Sequence, residues 1–388
     1  MAQNSLLLPH ADGSLRPYEP SGVFIEPPQN DRAFKSRVVY VATHVVADPI
    51  MSSSSPSSSQ VDWDGTLAYR TYLWSMGFGV AEAMDTAQRS MGLTWKAARE
   101  LIRRSLAAAP DRKNAIACGA GTDHLEPVDA TLHDVVAAYE EQCGCVESAG
   151  GRVVLMASRA LARSAEGPDD YLAVYDKVLS QLARPVTLHW LGEAFDPELA
   201  GYWGSSDLAA ATETFVSLVE THAPRIEGVK VSLLDKDLEI ELRERLPESV
   251  RVYTGDDFNY VELIRGDGRH YSHALLGILD AIAPVAAIAL RALDEDDGER
   301  FERTLAPTIP LARHVFSSPT RFYKTGLVLI AYLNGHQSHF RLLGGLESAR
   351  SVVHLAETFV LADKAGVLRD PEAASMRMRT VLATAGID

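Results

Sequence analysis

The sequence predicts an α/β chain folded as a (β/α)8, or TIM, barrel with a C-terminal helical extension, and three observations predict it. Near-continuous apolar, β-branched runs alternate with longer helical patterns, which indicates a parallel sheet covered on both faces. Seven such units precede residue 268 and an eighth strand falls at HYSHALL (270–276), so eight units occupy about 250 residues, the size of a closed barrel. No GxGxxG follows the first strand, which argues against an open dinucleotide-binding sheet.

Residues 1–36 hold five prolines and little periodicity, and are expected to form an irregular arm. The barrel is assigned to residues 37–294. Its strands are predicted at RVVYVATHVV (37–46), FGVAEAM (78–84), NAIACGAG (114–121), GRVVLMAS (151–158), RPVTLHWL (184–191), GVKVSLL (228–234) and VRVYTG (250–255). Helical patterns follow at 63–77, 94–109, 128–148, 168–183, 206–224, 236–246 and 257–265. The apolar stretch 274–290 carries Asp280 and Pro284 and is too short to span a bilayer, so it is expected to be a buried helix. Residues 295–388 lose the strand rhythm and form the helical extension, with three or four helices. A Ser/Pro tract at 51–60 cannot bury a core and reads as a loop after the first strand, either a lid or a tolerated insertion.

Of 388 residues, 46% are hydrophobic and 23% charged, ample for a globular core. The formal charge of −15 argues against nucleic acid and against anionic membranes as partners. Three cysteines suit a reducing compartment; Cys143 and Cys145 read as structural. The N-terminus lacks a basic, apolar leader, so a cytoplasmic location in a bacterium is expected.

Functional groups of such barrels lie at the C-terminal ends of the strands. Lys230 is the leading candidate, one of eight lysines and set within the apolar GVKVSLL. Desolvation lowers an amine's pKa and yields the neutral nucleophile that Schiff-base chemistry needs. The competing reading is a lysine ion-paired with an inward carboxylate such as Glu82, which would alternate inward with Met84 in a regular strand. Lys324 is expected to snorkel to the surface from a helix.

His189 and Trp190 end the fifth strand, where an imidazole could move a proton. Asp85, Thr86 and Gln88 follow the second strand and could hold substrate, or merely shape a turn. Asp256 and Asp257 could bind hydroxyls, or cap a helix. His44, Glu82, Asp85, Asp123, His124, His189 and His273 all lie near strand ends and could supply a Mn or Zn site, but no metal-ligand spacing appears. No metal ligand and no cofactor is assigned. His336 and His339 lie in the helical extension, where a shared metal is not expected.

The chain resembles the dihydrodipicolinate synthase / N-acetylneuraminate lyase superfamily of class I aldolases, and within it an uncharacterised synthase-like subgroup. The resemblance covers residues 37–335. It is carried by Gly228, Val229, Lys230 and Ser232, similar to the family's Gly-(Ile/Val)-Lys-x-(Ser/Ala), and by Gly255, Asp256 and Asp257, similar to its Gly-Asp-(Asp/Glu) turn. It implies that Lys230 forms an iminium with a 2-keto acid or related ketone, with His189 as second catalytic residue. It implies substrate contacts at Asp85, Thr86, Gln88, Trp190, Ser232, Asp256 and Asp257, and a homo-oligomer, dimer or tetramer. His189 and Trp190 stand where the family has Tyr-Asn, and of its Gly-Thr-Thr-Gly-Glu loop only Thr86 is kept. The more polar loop fits a sugar-derived keto compound better than pyruvate. A divalent-metal keto-sugar isomerase or lyase and a non-catalytic metabolite-binding barrel remain the alternatives.

Overall fold

The computed structural model describes residues 5–27, 30–50, 60–85, 88–126 and 128–387. The chain divides into two compact units. One comprises 37–42 and 79–277 and contains the barrel strands; the other comprises 1–36, 43–78 and 278–388.

In the first unit eight parallel strands close a barrel. They are β3 (Val39–Val41), β4 (Gly79–Glu82), β5 (Ile116–Ala120), β6 (Arg152–Leu155), β7 (Val186–Leu191), β8 (Ile226–Ser232), β9 (Arg251–Thr254) and β10 (His273–Leu276). Each pairs with the next in sequence, and β10 returns to β3 with Ala274 opposite Val39. All six residues of β7 are buried, because helices cover the outer face while side chains fill the inside. The expected strands are all present, shorter than their apolar runs. The apolar stretch at 274–290, expected to be one helix, instead contributes the end of β10 and then enters a helix after Gly277.

The helices start where the sequence supplies caps. Thr94 accepts from Ala97 N at the head of α2 (Trp95–Ala108), and Thr131 with Asp134 makes a capping box on α3 (Leu132–Ser148). Ser158 caps α4 (Arg159–Ser164), Pro168 opens α5 (Pro168–Gln181), and Asp207 and Asp235 cap α6 (Leu208–Thr221) and α7 (Lys236–Arg245). A short α8 (Tyr260–Arg265) precedes β10.

Inside the barrel, Tyr40, Ala42, Ala81, Met84, Ala117, Val154, Met156, Tyr253 and Leu275 pack as one cluster. Small residues stand beside large ones. A Cβ on Gly79 would come 2.7 Å from the Tyr40 ring, and one on Gly228 2.6 Å from the Tyr253 ring. At the N-terminal ends of the strands, Tyr253 Oη donates to Glu227 Oε1 at 2.8 Å, and Glu227 also pairs with Arg152 and with Arg251 at 3.1 Å. These groups form the barrel floor.

The second unit opens with a two-stranded antiparallel hairpin, β1 (Leu6–Pro9) and β2 (Leu15–Tyr18), within the arm expected to be irregular. The Asp363 carboxylate fastens the end of this hairpin and the turn beyond it, accepting from Tyr18 Oη at 2.6 Å and from the backbone and hydroxyl of Ser21. The helices are α1 (Trp63–Ser75), α9 (Leu279–Asp294), α10 (Gly298–Leu305), α11 (Ile309–Val315), α12 (Tyr323–Leu333), α13 (Val352–Lys364) and α14 (Pro371–Thr384). Five of them follow residue 295, where three or four were expected. Lys324, expected at the surface, is buried on α12. Of the tract at 51–60 only Gln60 is among the described residues. Among the described residues no helix is long and apolar enough to cross a membrane.

Candidate active site

Lys230 is the fifth residue of β8 and lies inside the barrel, 8% exposed. Strand alternation puts Gly228, Lys230 and Ser232 on the inner face and Val229 and Val231 on the outer. Its Nζ comes 4.0 Å from Met84 Sδ. On the neighbouring strand, a Cβ on Gly255 would fall 2.8 Å from Lys230 Cε and 2.1 Å from Ser232 Oγ, so a side chain there is incompatible with both. Glu82, weighed as the ion-pair partner, instead accepts from Ser105 Oγ of α2 at 2.6 Å, on the helix side of the strand. The reason is local. Ala83 has φ +50, which breaks the alternation so that Ala81 and Met84 face inward and Glu82 outward.

His189 lies beside Lys230 in register on β7. It is 3% exposed, and its Nε2 meets Ser232 Oγ at 3.0 Å. Burial pushes the imidazole well below its usual value, so it is neutral at neutral pH. Its Nδ1 is buried and meets no hydrogen-bond partner. Lys230, His189 and Ser232 are thus the sequence candidates brought together.

Trp190 and Asp256 are engaged elsewhere. Trp190, the next residue along, faces away from the barrel interior and packs between Phe215 (ring centroids 4.9 Å apart) and Trp203. This corrects its assignment to the substrate, since adjacent strand residues point to opposite faces. Asp256 accepts from Phe258 N, Asn259 N and Asn259 Nδ2, so its carboxylate is occupied in holding the turn after β9. Asp257 is buried nearby. Asp85 and Gln88 are buried in the loop after β4, whose backbone folds through Gln88 N and Arg89 N onto Asp85 O. Thr86 lies outside the described residues. Among the described residues, no three His, Cys, Asp or Glu gather as a metal-binding group.

Three features escaped the sequence reading. Arg89 is buried across the ends of β4 and β5. It donates to Ala83 O (2.8 Å), Asp123 Oδ2 (2.9 Å) and Gln142 Oε1 (2.7 Å), and it lies over Trp95. Glu239 of α7 is buried against Ser272 Oγ (2.7 Å), and burial pushes its carboxyl up to about 8. In the second unit Asp280 accepts from Thr43 Oγ1 (2.9 Å) and meets His44 Nδ1 (2.8 Å); burial opposes its charge, but His44, Lys324 and Thr43 hold it at about 2. Glu239 left a sequence signal, a carboxylate on the same helical face as Leu242, and so did Asp280, the charge within the apolar stretch 274–290.

A cavity of about 330 Å³ opens where the chain leaves β5, β6 and β7. Gly121, Met156 and Asp196 line it. Met156 also belongs to the interior cluster with Met84, whose Sδ approaches the Lys230 amine.

A family model described as a protein of unknown function (DUF993) matches residues 6–387. No curated protein matches the chain. Several solved structures do. A prophage protein belonging to the dihydrodipicolinic acid synthase family from E. coli K12, in complex with pyruvate, is 13% identical with a TM-score of 0.63, over 91% of this chain and 99% of that one. Dihydrodipicolinate synthase from Bacillus anthracis is 15% identical with a TM-score of 0.60, over 84% and 98%. The enzyme from Aquifex aeolicus is 14% identical with a TM-score of 0.59, over 90% and 98%. At these identities the likeness is one of fold.

Proposed function

The chain belongs to the DUF993 family of proteins of unknown function, and from that premise we propose that it is a Schiff-base-forming lyase or aldolase, acting through Lys230 on a 2-keto acid or sugar-derived keto compound. The observation that carries this reading is the buried Lys230 amine on the inner face of β8, with the neighbouring strand stripped to Gly255 at its side.

In the reaction, the neutral amine attacks the substrate carbonyl carbon and forms a carbinolamine. Loss of water gives the iminium. That cation draws electrons from an adjacent C–C bond as the neighbouring hydroxyl of the substrate gives up its proton, so cleavage leaves an enamine on the lysine, releases the other fragment as a carbonyl compound and frees the proton that the enamine carbon takes up next. Protonation and hydrolysis then regenerate the amine. Ser232 is the group for proton transfer at the carbinolamine oxygen. His189, neutral in this site, orients the Ser232 hydroxyl through Nε2 rather than acting as a strong base.

Incubation with a keto substrate and sodium borohydride is expected to add the substrate's reduced mass irreversibly to Lys230, read by peptide mass spectrometry. The Lys230→Ala variant should take up none. Unaltered turnover by that variant would overturn the reading.

A further inference from the structure

We propose that the cavity at the ends of β5, β6 and β7 binds an uncharged, polyhydroxylated chain, which makes the substrate a sugar-derived keto compound. The inference rests on the Schiff-base reading for the fate of the carbonyl, but not for the binding itself.

The position comes first. Ligands of such barrels sit at the C-terminal ends of the strands, and about 330 Å³ is enough for a small metabolite. The floor is Met156. A Cβ on Gly119 would lie 2.8 Å from Met156 Sδ and 2.5 Å from Met84 Cα, so this glycine lets the two methionines close together. Met84 Sδ is in turn 4.0 Å from Lys230 Nζ. Methionine repacks at low cost, so a chain seated in the cavity would bring its carbonyl to the amine by displacing these two flexible side chains.

The charge pattern selects the ligand. Three arginines line the cavity, and each is already matched: Arg89 by Asp123, Arg159 by Asp196 (2.7 Å) and Arg163 by Glu198 (2.9 Å). Glu126 adds a fourth carboxylate. Among the described residues an entering anion would find no surplus cation and would meet excess negative charge. A hydroxyl both donates and accepts. It can therefore accept from a guanidinium and donate to the paired carboxylate without breaking the pair. Thr122, which lines the cavity with its hydroxyl 2.6 Å from Ser158 Oγ, adds a group of the same two-way kind.

The test is calorimetric titration of the full-length Lys230→Ala protein, which cannot form the covalent adduct, with a linear hexitol, the matching aldonate and the matching aminoalditol. The hexitol is expected to bind, and the aldonate to bind about tenfold or more weakly, the loss of one charge-assisted contact. Arg159→Met and Asp196→Asn should each weaken the hexitol about tenfold. Should Arg159→Met fail to fold, Arg163→Met removes a half-exposed pair and reads the same loss. Equal or tighter binding of the aldonate, no hexitol binding, or unchanged affinity in the folded cavity variants would overturn the proposal. Hexitol binding without borohydride labelling of Lys230 in the wild type would sink the Schiff-base reading alone. Labelling by keto acids without hexitol binding would sink this inference alone.

Discussion

At the residue scale, the geometry around Lys230 depends on what is missing at position 255. Gly255→Ala is expected to destabilise by about 1–3 kcal/mol through overpacking, and to abolish borohydride trapping by displacing the amine. Denaturant unfolding and peptide mass spectrometry check the two effects. Lys230 was legible because a lysine among Val229, Val231 and Leu233 has to be accounted for, and alternation gives its face. The same alternation, applied to His189 and Trp190, excludes one of the two from the interior. Glu82 was misplaced because the positive φ at Ala83 shifts the alternation, and an alanine gives no hint of it.

At the element scale, apolar runs alternating with helical patterns made strand and helix positions readable, whereas contacts between distant segments were not. Arg89, Asp123 and Gln142 come from three separate segments, and nothing local announces that they will meet. Removing the cation leaves a largely buried carboxylate without its partner, so Arg89→Met should cost about 3–5 kcal/mol in unfolding free energy. The cap of α3 is a smaller contribution: Thr131→Ala should cost about 1 kcal/mol in the same assay.

At the scale of the whole molecule, buried titratable groups set opposing pH slopes. Burial lowers His189, and lowers His273 and His336 to about 4. The unfolded chain takes up these protons near pH 6.5 while the native chain does not, so stability is full above that pH and falls as pH drops toward 4. Glu239, raised to about 8, acts in the other direction. The native chain keeps a proton that the unfolded chain releases near pH 4.5, so stability falls as pH rises from there to about 8. The melting temperature should therefore peak between these limbs. Glu239→Gln should flatten the alkaline limb and steepen the acid limb between about pH 4.5 and 6.5, where the two titrations overlap; a persistent alkaline slope in that variant would contradict the assignment. The barrel floor built from Tyr253, Glu227, Arg152 and Arg251 carries a kinetic corollary. With that end filled by the Tyr253 ring and paired charges, traffic on the proposed reading is expected at the opposite mouth. On the Schiff-base reading a spent fragment leaves along the path the next molecule uses, so inhibition by the last product released is expected to be competitive, and a purely uncompetitive pattern would count against a shared path.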